Sequence, residues 1–377
     1  MTHSQEQNNK QTQVRIWNIP IRLFHWTLVV CFITTWLTRD NRYLDIHIFA
    51  GYLMAGLILF RLLWGFIGGP YARFRDFAFG WHEVWDYVKG VLNRKPPRFL
   101  GHNPAGSWAI YLLLTLGVLI VITGLLGFGG EEQHGPLAGW LNYPQGKLAQ
   151  DIHELLAWLM LGVVGIHITG VLVESLLHKE NLVRAMLTGY KPATASAIAA
   201  ASQWKTAIVM VTMILAGGLS WFQGYLTATP EQPYIPFVGP ELPDHDLWRE
   251  ECGACHLAFH PSLLPARSWE TMMAEQGTHF AEDLFLESDA VAEIETFLVE
   301  NAAEQGLTEA AWKINNSIPK SETLLRITEA PYWIKKHQEI SNAIWQNPQV
   351  NGKVNCAACH LDADAGTFED AAMQLPK

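Results

Sequence analysis

Five stretches of this chain are apolar for long enough to cross a bilayer, near residues 21–38, 45–67, 107–127, 152–176 and 205–226. A hydrocarbon core about 30 Å thick takes around 20 residues of helix. Lipid offers the backbone no hydrogen-bond partners, so segments of this length must be helical. Composition agrees: 49% of residues are hydrophobic and 16% charged, against roughly 25% charged in an ordinary soluble protein. The 377 residues suffice for two domains. A net charge of -10 without a long basic run excludes nucleic acid as a partner.

The charge is distributed unevenly. Arg73, Arg75, Lys89, Arg94, Lys95 and Arg98 lie between the second and third apolar segments, and Lys179, Arg184, Lys191 and Lys205 between the fourth and fifth. The third-to-fourth connection carries Glu131, Glu132 and Asp151. By the positive-inside rule the N-terminus is cytoplasmic, and five crossings deliver the tail to the opposite side. The first thirteen residues are polar and hold no cleavable leader pattern, so the first span is expected to stay as an anchor. After the fifth span comes TPEQPYIPFVGPELPDHD, a Pro-rich stretch expected to act as a stiff spacer. The expected division is a membrane domain over 1–192, a fifth membrane helix within 193–230, a linker at 231–246 and an outer domain over 247–377. The fold class is all-α, since the tail has helical patches such as Asp289 to Leu298 and no clear alternating strands.

Four of the five cysteines form two CxxCH motifs, Cys252-Gly-Ala-Cys255-His256 and Cys356-Ala-Ala-Cys359-His360. In this motif the two thiols form thioethers with the haem vinyl groups, and the adjacent His supplies the proximal iron ligand. CxxC pairs also bind zinc or form disulfides. Two pairs each followed by His, on the side of the membrane where bacterial c-type attachment takes place, favour haem. The sixth iron ligands must then come from His245, His260, His279 and His337, two of the four. The fifth cysteine, Cys31, sits in an apolar run and reads as a buried small apolar residue.

Histidine inside a membrane is costly and usually functional. His25 opens the first span, His47 opens the second, and His153 and His167 share the fourth. Fourteen residues turn a helix by about 1400°, some 40° short of four full turns, and raise it about 21 Å. The two therefore share one face at two depths. Odd spans run outward and even spans inward, so His25 pairs with His167 near the cytoplasmic face and His47 with His153 near the outer face. Two bis-His haems follow, with Gly51, Gly162, Gly165 and Gly170 offering flat helix surfaces and Arg22 and Arg61 suited to propionates.

Two resemblances add to this reading. VRIWNIPIRLFHW, DIHIFAGYLMAGLILFRLLWGFIG, GHNPAGS and the paired His of the fourth span resemble the bacterial dihaem cytochrome b family, over about residues 14–192. That family includes the membrane subunits of nickel-iron hydrogenases and formate dehydrogenases. The resemblance implies a four-helix bundle, two b haems and electron exchange with membrane quinone; the quinone site itself is not visible in the sequence, and His102 and Asn103, at the start of the third span near the inner haem, read first as loop-turn residues. ECGACHLAFHPSLLP, SWETMMAEQGTHF, LRITEAPYWIKKHQEI and NCAACH resemble the periplasmic dihaem cytochrome c family, over about residues 246–376. It implies two six-coordinate c haems, with His279 as second ligand of the first and His337 of the second. His260 stands where that family usually has Pro and is expected to be an ordinary surface histidine.

The expected whole is a chain of four haems, two b and two c, in a bacterial cytoplasmic membrane with its c domain periplasmic. It passes electrons between quinone and a soluble periplasmic cytochrome or other redox protein, outward from quinol. No acid, base or nucleophile constellation appears. Two other readings are a quinone-linked superoxide oxidase and a haem-based gas or redox sensor; a third makes the chain a structural anchor.

Overall fold

The computed structural model describes residues 12–40, 43–193, 197–225, 239 and 241–376. It divides into two compact units: one holds the described residues of 1–122 and 153–227, the other those of 123–152 and 228–377. Most of the expected linker at 231–246 lies outside the described residues.

The helices in chain order are α1 Ile19–Leu37, α2 Leu44–Ile67, α3 Trp81–Leu92, α4 Pro104–Gly130, α5 Tyr143–Leu177, α6 Leu182–Thr188 and α7 Trp204–Tyr225. Five of them, α1, α2, α4, α5 and α7, are long and apolar enough to cross a membrane. Two of them have capped starts. Asn18 caps α1, its side chain accepting from Ile21 N–H at 3.0 Å, with Pro20 just inside. Asn103 does the same for α4, accepting from Gly106 N–H at 2.6 Å ahead of Pro104.

In the first unit these helices bury Phe24, Cys31, Met54, Leu57, Leu116, Met160 and Met210 against one another. Leu59, Phe66, Leu172 and Leu176 point outward and are exposed, as lipid-facing residues should be. The α3 helix buries Val84 and Tyr87 and exposes Trp81 and Trp85, which with Trp108 form an aromatic group of the kind found at a membrane surface. A two-stranded antiparallel sheet, which the sequence reading did not anticipate, pairs β1 Thr12–Arg15 with β2 Tyr190–Ala193.

The α5 helix runs for 35 residues, about 52 Å of rise, and begins nine residues before the expected start at 152. Its first turns belong to the second unit. There Gly146 meets Gly130 so closely that a Cβ would lie 2.2 Å from Glu131 N. No other residue fits that crossing. Tyr143 is fully buried, its ring 5.4 Å from Trp312 and its hydroxyl donating to Glu131 Oε1 at 3.3 Å.

The rest of the second unit is six short helices, α8 Asp246–Gly253, α9 Ala266–Ala274, α10 Ser288–Glu300, α11 Glu309–Ser317, α12 Pro331–His337 and α13 Asn342–Trp345. Trp248, Leu264, Trp269, Ile294, Leu298 and Ile314 form their core. Glu132 and Glu369 are crowded with Glu309 and Asp370. Burial first, then these neighbouring carboxylates, push Glu132 up to about 7 and Glu369 up to about 8. A carboxyl raised above its ordinary range holds a proton in the folded state that the unfolded chain gives up, so stability falls as pH rises from roughly 4.5 to 8. Melting of the full chain in detergent, followed by c-haem circular dichroism, is expected to show that decline. Glu369→Gln should remove part of the slope, leaving that of Glu132, and raise the midpoint at pH 8; an unchanged slope would contradict the crowding.

Candidate haem sites

Pairs of facing histidines recur in both units. The His47 and His153 ring centroids lie 6.1 Å apart, those of His256 and His279 6.3 Å, and those of His337 and His360 6.2 Å. A metal-bound imidazole nitrogen sits about 2.0 Å from the metal and the ring centroid about 1.1 Å beyond it, so two rings flanking one iron have centroids about 6.2 Å apart. All three separations match that span. For the fourth expected pair, His167 lies within electrostatic range of His25.

Several of these rings are set for ligation by a second bond. The Nδ1–H of His47 donates to Thr35 O at 3.0 Å, that of His153 to Ile120 O at 3.0 Å, that of His256 to Leu257 O at 2.7 Å and that of His337 to Trp333 O at 2.8 Å. A carbonyl can only accept, so the proton is on Nδ1 and Nε2 carries the lone pair that a metal would need. In the second unit burial lowers His279, His337 and His360, with His256 adding to the effect on His279. Neutral imidazole is the ligating form.

The thiols sit beside these rings. Cys252 ends α8 and packs on the core of the second unit, while Cys356 opens a 3₁₀ turn in which Cys359 N–H and His360 N–H both donate to Cys356 O, at 3.1 and 2.9 Å. No disulfide joins any of the five cysteines. Burial pushes the Cys252 and Cys356 thiols, as they stand before any haem is attached, up to about 11.

Polar atoms at the His25 end of the first unit test whether a haem fits there. Arg22 Nε, His25 Nδ1, Trp26 Nε1, Arg61 Nη1 and Trp64 Nε1 are all shut off from solvent with no hydrogen-bond partner. Leaving a buried donor unpaired costs about 1–3 kcal/mol each. The two carboxylates of a haem would accept from such donors, so the set fits. Arg22 also donates through Nη2 to Leu187 O, and Arg61, 4% exposed, lies over the Phe74 ring at 4.9 Å. A Cβ at Gly51, Gly162, Gly165 or Gly170 would meet nothing within 4 Å, leaving these helix faces open to a flat group.

One expectation needs correction. His260 is not a surface residue but is 3% exposed, with Nδ1 2.8 Å from Ser262 Oγ and Nε2 3.1 Å from Pro243 O. Both ring nitrogens are thus occupied by the protein, and the ring facing His256 is that of His279. His245 caps α8 and approaches Glu293 at 3.2 Å.

Sequence reasoning also missed a polar group near His102. Glu174 and His178, one turn apart at the end of α5, pair at 3.3 Å, and Tyr87 donates to Glu174 Oε2 at 2.6 Å. An acidic residue inside an apolar span was the available signal. His102 itself packs between Trp17 and Phe77, at 4.7 and 4.4 Å, with Nδ1 unpartnered. Burial, then Arg61 and Lys191, push it down to about 3, so it is neutral.

Comparison with known proteins fits this arrangement. Residues 16–189 match the family model described as prokaryotic cytochrome b561, and residues 248–368 the one described as dihaem cytochrome c. Among curated proteins, the probable Ni/Fe-hydrogenase B-type cytochrome subunit of Azotobacter vinelandii is 27% identical over 221 residues, 50% of this chain and 92% of its own. The probable Ni/Fe-hydrogenase 1 B-type cytochrome subunit of Escherichia coli K12 is 24% identical over 223 residues, 50% of this chain and 94% of its own. Among solved structures, the diheme cytochrome c from Rhodobacter sphaeroides is 38% identical with a TM-score of 0.31, covering 34% of this chain and all of that one. The diheme cytochrome type c from Shewanella baltica OS155 is 31% identical with a TM-score of 0.29, covering 36% of this chain and 95% of that one. The chain is a multi-pass membrane electron-transfer protein that belongs to the cytochrome b561 family through its first half and to the dihaem cytochrome c family through its last third.

Proposed function

We propose that this protein carries single electrons between membrane quinol and a soluble redox protein outside the membrane, through two b haems and two c haems. His25 and His167 hold the inner b haem, with Arg22 and Arg61 toward its propionates, and His47 and His153 hold the outer one. Cys252, Cys255, His256 and His279 hold the first c haem; Cys356, Cys359, His360 and His337 hold the second. The observation that carries this reading is the recurrence of facing histidine pairs 6.1 to 6.3 Å apart. Haem iron supplies reversible one-electron chemistry, tuned by its ligands and burial; the protein's part is to fix those ligands and exclude water.

The quinone is read to bind beside the inner pair, where unpartnered His102 Nδ1 adjoins Asn103 at the head of α4. In this reading the N-terminus is cytoplasmic, the c domain is periplasmic, and electrons flow outward from quinol. A second reading rests on the names of the curated relatives, which are cytochrome subunits of Ni/Fe-hydrogenase: a hydrogenase delivers the electrons instead.

One experiment separates the two. Purified protein should yield equal b and c haem by pyridine haemochrome, and a short-chain ubiquinol should reduce the c haems without any added protein. Reduction that requires a hydrogenase and hydrogen favours the second reading, and c haem without b haem would sink both.

A further inference from the structure

The proposed quinol oxidation leaves two protons to be disposed of, and a cavity lined by ionisable side chains lies beside Asn103. It measures about 30 Å³, room for about two waters. Its lining includes Gly101 and Asn103 from the head of α4 and Glu174 and His178 from the end of α5. Arg98, Glu180 and Lys191 also face it. Arg98 holds Glu180 at 3.0 Å and Lys191 approaches the same carboxylate at 3.6 Å, so Glu180 is neutralised by two cations. Glu174 has no such partner: its neighbours are the Tyr87 hydroxyl on one oxygen and the His178 Nε2 on the other. Glu174 and His178 keep only 12% and 15% of their side chains accessible. The carboxylate is thus screened from water and still one step from it.

We infer that Glu174 and His178 form a proton relay between the quinone beside Asn103 and the aqueous phase at this end of the bundle. Each quinol O–H would give up its proton through cavity water to the Glu174 carboxylate, and the accompanying electron is the one that a haem held by His25 and His167 would accept. The carboxylic acid then passes that proton through cavity water to His178, whose Nε2 lies 3.3 Å from Glu174 Oε1. The imidazolium releases it to bulk water and both groups are reset. Two turns of the relay account for two protons and two electrons per quinol. Tyr87 is a positioning residue, since its donated hydrogen bond fixes which oxygen of Glu174 faces His178.

The relay rests on the quinone reading, and its test is chosen to fail separately. In haem-loaded full-length protein, Glu174→Gln should keep both b haems and their spectra. Ubiquinol-driven reduction should slow at least about tenfold, since positioned proton transfer commonly contributes more than that. Glu174→Asp should recover part of the rate, and added imidazole should rescue His178→Ala. Independently of quinone, potentiometric titration at several pH values should give a pH-dependent inner b-haem potential in the wild type that Glu174→Gln flattens. Redox-difference infrared spectra should lose a carboxyl band in the same variant. Wild-type rate, potential profile and infrared spectrum in Glu174→Gln would overturn the relay. A wild-type protein that ubiquinol cannot reduce would overturn the quinone reading, and the potential and infrared arms would then still decide whether Glu174 exchanges protons with the haem.

Discussion

A His153→Ala chain is expected to keep both c haems attached, to lose half of its b haem, and to show only background reduction of c haem by quinol. The expectation follows from the second bond of that ring. Its Nδ1–H donates to Ile120 O, which puts the ring's lone pair on Nε2, and the His47 ring lies 6.1 Å away. Losing one of two axial imidazoles removes the fixed span between α2 and α5, and no other histidine is paired with His47 among the described residues. Haemochrome analysis should give one b haem for two c haems. Full b haem content in His153→Ala would mean that the 6.1 Å spacing has another cause.

Replacing His279 and His260 separately should give opposite results. His279→Ala is expected to open the sixth position of one c haem, turning it high-spin and able to bind carbon monoxide. His260→Ala should leave both c haems low-spin while lowering the melting temperature of the domain. That ring is packed so closely against Gly366 that a Cβ there would lie 2.5 Å from it, and its loss leaves Ser262 and the Pro243 carbonyl unpaired at a cost of about 1–3 kcal/mol. Carbon monoxide binding by the His260 variant instead would reverse the assignment.

Much of this was legible in the sequence because its strongest signals are local or periodic. The two CxxCH motifs are contiguous, the apolar spans announce themselves by length, and the 14-residue spacing of His153 and His167 needs only the pitch of a helix. Depth alone brought His47 to His153. Other features depend on polar residues that hydropathy cannot see. Tyr143 to Asp151 is helical yet too polar to read as membrane, so α5 begins earlier than expected. The β1–β2 pairing joins Val14 to Lys191 across most of the first unit, with no local pattern to predict it. His260 was misread because exposure was judged from residue type, whereas its position is set by two partners on either side of it in the chain.

The single α5 helix that bears His153 and His167 has a mechanical consequence. Were the two sites built on separate helices, their spacing would follow every sliding or tilting of the bundle and every change in bilayer thickness. One continuous helix makes it a ruler of fixed length, about 21 Å between the two rungs. Electron-transfer rates fall steeply with distance, so this strut would hold the transit time across the membrane constant while the lipid around it thins, thickens or stiffens.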